Sequence, residues 1–224
     1  MADLEQQPSP PGERYYCLVF GSQINRLSFR YTHTWATVVR VTHDDPASII
    51  HDTISWLPAT GNIRPWHYRT EPGLNGDLHS ALQTTHSQGQ RIAVWGPFEI
   101  RPGFYRKFLL QKEFMESDQV GYQANDTLGE AGWTGNGCNC IHAITDNDAQ
   151  FGRAGYPMFR VGFPASKHVV RRLQEREAVI DAGASHEWLY HALGLTEFPL
   201  ERRELPAPNN LSKFLNDQIF NREK

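Results

Sequence analysis

Cysteine is scarce in this chain: three thiols, Cys17, Cys138 and Cys140, in 224 residues. So odd and sparse a set excludes the even disulfide framework of a small secreted scaffold and points to a reducing compartment. Long apolar runs are missing as well, and no segment reaches the roughly 20 residues that a bilayer-spanning helix needs. The stretch MADLEQQPSPPGERYY has no basic region followed by an apolar one, so it does not read as a secretory signal. Nor is there a basic excess: 22 Lys and Arg face 25 Asp and Glu, a net charge of -3. That balance excludes a field that would gather nucleic acid or an anionic membrane surface. Internal repeats and low-complexity blocks are absent too. The expectation is a cytoplasmic protein with no transmembrane segment and no nucleic-acid partner. Its sequons, Asn125-Asp126-Thr127 and Asn210-Leu211-Ser212, then carry no glycan.

What remains suits one sizeable domain with its own core. Residues 1–13 are polar and proline-rich and read as a flexible arm. The domain is expected over 14–205. Beyond LPAPNN, residues 206–224 set Leu211, Phe214, Leu215 and Ile219 on one helical face, an amphipathic helix that docks on the domain.

YYCLVFGS and YTHTWATVVRVT are rich in aromatic and β-branched residues and read as strands. HDDPAS turns the second into IIHDTISWLP, an antiparallel hairpin with Trp35 and Trp56 facing core. Pro58 to Gly76 is irregular. Asp77 caps a helix over LHSALQTTHSQ that Gly89 closes. A strand over RIAVWGPFEI, a helix over GFYRKFLLQKEFMES and a strand over QVGYQAND lead to a glycine-rich loop. After CIHAITD a helix is expected from Pro164 to about Ala182, then a shorter one capped by Ser185 and closed by Gly194.

The chemistry concentrates in GNGCNCIHAITD. A thiol attacks as the thiolate, and a helix N-terminus favours that form through its unpaired N–H groups. Cys140 stands at such a start, ahead of Cys138. Gly135 and Gly137 let backbone N–H groups approach an oxyanion, and Asn139 can cap or orient. A thiol also needs an imidazole to take its proton and return it to a leaving group. Of ten histidines, His33 heads a strand, where side chains border clefts. His142, about 200° round the helix from Cys140, points elsewhere. In the hairpin, residues near Ser55 return beside those after His33, so Ser55 is the geometric candidate to orient the ring, with His51 and Asp52 behind it. Tyr122, in the strand before the loop, either packs as a structural tyrosine or donates to substrate or oxyanion; Trp35 shares the face of the strand that His33 opens and is the further candidate to line the substrate site.

His at the head of a strand, a polar residue on the returning strand and an Asn-Cys pair opening a later helix resemble the circularly permuted branch of the papain-like NlpC superfamily. That branch includes the YiiX-like proteins and the lecithin-retinol acyltransferase-like enzymes. YTHTW precedes NCIHAI, which is the permuted order, and TISWLP and EPGLNGDL fit the returning strand and its turn; the likeness spans about Tyr15 to Asp148. It implies an α+β fold, a papain-like antiparallel sheet packed on the cysteine-bearing helix, with extra C-terminal helices here. It implies Cys140 as nucleophile, His33 as base and attack on an amide, ester or thioester carbonyl of a small-molecule, peptide or lipid-like acyl substrate, without a cofactor. Ser55 stands where members of that family often carry His or an acid. Two other classes stay open. One is a non-catalytic protein that binds a small ligand or peptide in a papain-like cleft. The other is a metal- or redox-linked module built on Cys138-x-Cys140, although no second ligand pair appears at zinc spacing, and His186 and His191 miss the i, i+4 spacing of a helical metal pair.

Overall fold

The computed structural model describes residues 10–24, 28, 31–43, 48–126, 136–145, 161–175, 178–181 and 186–205. The expected arm up to residue 9 and the expected helix over 206–224 lie outside them. The fold is mixed α+β, with a mostly antiparallel sheet and five α-helices among the described residues. No helix among them is long and apolar enough to cross a membrane.

Two eleven-residue strands, β1 (Glu13–Gln23) and β2 (Thr32–Thr42), form the centre and pair antiparallel along their whole length. β3 (Ile50–Ile54) returns beside β2, from Arg40↔Ile50 to Ala36↔Ile54. The short pair β4 (Trp56–Pro58) and β5 (Gly73–Asn75) follows, then α1 (Leu78–Ser87). β6 (Arg91–Ile100) flanks β1 on its other side and runs into α2 (Pro102–Met115). β7 (Gly121–Tyr122) and β8 (Gly137–Cys138) pair parallel just before α3 (His142–Thr145). α4 (Phe163–Glu175), β9 (Val179–Asp181), α5 (Trp188–Ala192) and β10 (Leu200–Arg203) complete the chain, β10 lying parallel to β6.

Successive side chains of a strand point to opposite faces, and here both faces are covered. Cys17, Val19, Ala36 and Val38 join one core with α2, α3 and α4. Leu18, Phe20, Trp35 and Val39 join a second core with α1 and α5. The two tryptophans expected in the core are both buried, but in different cores: Trp35 in the second, Trp56 in the first. In β6 the alternation changes parity at Gly96, so Phe98 and Ile100 stay with Ala93 and Trp95. Gly96 has φ 97°, and a Cβ there would come within 2.6 Å of the Cys17 carbonyl oxygen.

Asp77 caps α1 as expected, its carboxylate accepting the Ser80 N–H at 2.8 Å. Two segments differ from the sequence reading. The helix expected to reach Ala182 ends at Glu175, and Val179–Asp181 pairs with the end of β6. An open sheet edge there offers unpaired backbone groups, and β-branched Val179 and Ile180 satisfy them better than a helix turn. QVGYQAND contributes only the two residues of β7 before the chain turns.

α4 docks where β1 carries no side chain. A Cβ on Gly21 would lie 2.1 Å from Ser166 Oγ and 2.8 Å from Ser166 Cβ, and Ser166 Oγ is hydrogen bonded to Thr34 Oγ1 at 2.9 Å. Gly21→Ala should therefore destabilise the fold by about 1–3 kcal/mol, the usual range for overpacking. Adding Ser166→Gly should return part of that loss in urea denaturation, and a strictly additive double mutant would show that this contact is not the cause.

Candidate functional site around Cys140

The site begins at the capped turn before α3. Asn139 Oδ1 accepts the backbone N–H groups of Ile141 (2.8 Å) and His142 (2.9 Å), a side-chain cap on the first turn. The Asn139 backbone N–H and Nδ2 donate to Asp126 at 2.9 and 3.0 Å. The same carboxylate takes His142 Nδ1–H at 2.6 Å, and both side chains are 1 % exposed. Asn139 thus both caps and orients, as its position before Cys140 suggests. The preceding residue is anchored too: the Cys138 carbonyl accepts Trp56 Nε1–H (3.2 Å) and the Gln123 N–H (3.1 Å).

Cys140 itself is half-buried and packs on the first core. Burial pushes its thiol up to about 11, the Thr34 backbone N–H and its own N–H pull downwards, and the Asp126 carboxylate pushes up again. The helix start was expected to favour the thiolate. It does not prevail, because α3 is only four residues long and desolvation of the charged sulfur outweighs its few N–H groups. Cys138 is buried, and its Sγ lies 3.4 Å from the Asn139 carbonyl oxygen. All three cysteines are free thiols.

A strand's N–H lies in the plane of its sheet. Thr34 lies on β2 beyond Ala36↔Ile54, where the pairing with β3 ends, and its N–H favours the charged form of the Cys140 sulfur. Tyr122 belongs to the core on which Cys140 packs. Its pKa is raised well above 10, by burial first and then by the nearby Cys140 and Asp126, so the phenol keeps its proton.

His33 and Ser55 meet diagonally across the hairpin, beyond the last register pair Ala36↔Ile54, Nε2 to Oγ at 2.9 Å. Ser55 sits at the break between β3 and β4, its N–H donating to Asn75 Oδ1 at 2.8 Å. Neither other candidate takes its place. Asp52 pairs with Lys112 at 3.3 Å, and the exposed His51 lies against His79. Alternation turns Thr34 towards α4 and His33 towards the second core, where its ring stacks on Trp35 with centroids 5.3 Å apart. His33 and Cys140 are not hydrogen bonded: Nε2 goes to Ser55, and Nδ1 is buried with no hydrogen-bond partner. Burial lowers the imidazole to about 3. At neutral pH, imidazole and thiol are both uncharged.

Trp35 does not line the site as expected. It is fully buried between Phe20 and His33, since its place in the strand faces α1. Asp126 and Thr34 were missed by the sequence reading. The first lies inside a sequon-like stretch, the second acts through its backbone, and neither leaves a mark in a motif. A separate cleft of about 630 Å³ opens between β4, β5 and the end of α2, with Trp56, Met115 and Val120 in its wall and Glu71, Asn75 and Glu116 beside them. Among the described residues, no group of three or more His, Cys, Asp or Glu is placed to hold a metal ion. Comparison of the chain with family models, curated proteins and solved structures finds no match.

Two outcomes follow from these charges. The His33 pKa falls from 6.5 to about 3 on folding, so the unfolded chain binds more protons between those values. Stability is undiminished above the unfolded pKa and is lost as the pH falls towards the folded one. His33→Gln should flatten the stability profile between pH 6.5 and 3 relative to wild type, and parallel profiles would contradict the burial of a neutral ring. Without substrate, iodoacetamide should label Cys140 slowly at pH 7, with a rate rising tenfold per pH unit towards about 11. A plateau near pH 6 would mean a preformed thiolate.

Proposed function

We propose that the protein is a thiol hydrolase or acyltransferase with a permuted papain-like arrangement, acting in the cytoplasm on a small-molecule, peptide or lipid-like substrate. The observation that carries this reading is the built turn around one sulfur: Asn139 caps the N–H groups that follow Cys140, Asp126 holds the residues on both sides of it, and the Thr34 and Cys140 backbone N–H groups favour its thiolate. An inert structural cysteine has no need of them. The order of the parts along the chain, His33, Ser55 and then Asn139-Cys140, supports the same reading.

In this mechanism the imidazole comes over the open edge of β2, and His33 Nδ1, the ring nitrogen without a partner, takes the Cys140 proton. Sulfur bonds to the carbonyl carbon, and the carbonyl π pair moves to oxygen, where the Cys140 N–H and the Tyr122 O–H receive it. Collapse breaks the bond to the amine, alcohol or thiol, which leaves with the proton from His33. Water or a second nucleophile then attacks the acyl-cysteine as its proton passes to His33, the carbon–sulfur bond breaks, and His33 returns the proton to the sulfur. Ser55 holds Nε2 in the resting state and fixes the tautomer. Because both groups start neutral, the proton moves to His33 only as the sulfur attacks the bound carbonyl, which goes with a slow resting thiol and a substrate-dependent reaction.

A second reading, a binding protein that keeps the cleft without the chemistry, is favoured by the lack of a hydrogen bond between His33 and Cys140. Its ligand would occupy the cleft of about 630 Å³ beside Trp56, a volume usual for small-ligand sites.

Incubation with p-nitrophenyl esters, acyl thioesters and peptide amides, followed by intact-mass and product analysis, separates the two. Acyl transfer predicts an adduct on Cys140, no turnover in Cys140→Ala, and a kcat reduced by roughly 10²–10⁴-fold in His33→Gln, the usual worth of a general base. Turnover that survives Cys140→Ala, or an adduct on Cys138, would sink this reading. Absence of any adduct across the panel leaves the binding protein.

A further inference from the structure

We infer that Asp126 is a positioning residue for the Cys140 site, a carboxylate that fixes the peptide carrying the nucleophile from both sides. The inference rests on the acyl-transfer reading above. Asp126 is 1 % exposed, and a buried carboxylate is costly unless its lone pairs are satisfied. Three donors that reach it come from Asn139 and His142, the two residues that bracket the cysteine turn. The Asn139 N–H and Nδ2 approach from before it at 2.9 and 3.0 Å, and His142 Nδ1–H approaches from after it at 2.6 Å. Asn139 Oδ1 then takes the N–H groups of residues 141 and 142. The N–H of residue 140 is used by neither the cap nor the carboxylate, and it favours the charged form of its own sulfur.

The arrangement suits an oxyanion donor. An N–H already occupied by a cap cannot receive developing charge, and one on a mobile loop would have to be ordered during the reaction. By holding 139 and 142, the carboxylate leaves the 140 N–H available and fixed. Its charge works against the thiolate, so its contribution is geometric. The carboxylate comes from the turn after β7, distant in sequence from the cysteine turn that it binds directly and in the same short segment as Tyr122, the second donor proposed for the oxyanion. A single element, the segment from Tyr122 to Asp126, therefore sets both.

The test compares two reactions of the same thiol in full-length protein. Alkylation by iodoacetamide needs no oxyanion, whereas acylation by a p-nitrophenyl ester does. Asp126→Asn should lower kcat for the ester by roughly 10²-fold, the scale of losing one oxyanion donor, with KM little changed. Cys140 alkylation should stay within about threefold of wild type or become faster, and Asp126→Glu should recover part of the activity. Parallel loss of alkylation and acylation, or unchanged acylation, overturns the role. If the wild-type protein forms no acyl adduct, the acyl-transfer reading has failed. Hydrogen exchange then decides the clamp by itself: the amides of 140–142 should exchange at least tenfold faster in Asp126→Asn while those of β1 and β2 keep their rates. Equal exchange in this turn overturns it.

Discussion

The pairing of β1 with β2 is the constraint from which the rest of the structure follows. Eleven residues of each strand are in register, and a strand's side chains must alternate between faces. This one ladder therefore supplies both cores, and a shift of a single residue would exchange them. The same alternation assigns the two neighbours at the head of β2. Thr34 is committed to α4 through Ser166, and His33 to Trp35 and Ser55. The backbone between them is left for the cysteine.

Burial acts on the site more strongly than any local charge. It raises the thiol to about 11 and lowers the imidazole to about 3, while the donors at the sulfur only moderate it. Enclosure of this kind keeps a thiol protonated and so slow to react with solvent-borne electrophiles. The polar network beneath the cysteine is nearly as buried as the core. A satisfied network in a low-dielectric setting holds its members rigidly, and a partly satisfied one is costly. Asp126, Asn139 and His142 belong to the first kind: the carboxylate meets three donors, and the cap amide uses both its oxygen and its nitrogen.

Much of the site was legible because its parts are local. Asn139 before Cys140 reads as a cap at a helix start, and the cap is formed. The His33 to Ser55 contact could be inferred from one hairpin, since turn position sets cross-strand neighbours. Asp126 was invisible: thirteen residues from Asn139, it meets its partners only once the chain between has folded back. Trp35 was misassigned because periodicity reveals that residues share a face and says nothing of what covers it.

The sequence by itself determined the central strands, the hairpin and the caps at Asp77 and Asn139, all of which depend on spacings of a few residues and on backbone preference. Tertiary structure decided which face each strand residue met, the end of α4 at Glu175, the addition of β9 and β10 to β6 and the protonation of the thiol and the imidazole. Those outcomes depend on which distant segment excludes water from a group or satisfies its hydrogen bonds. Desolvation of Cys140 is a property of the assembled surroundings, and no stretch of neighbouring residues encodes it.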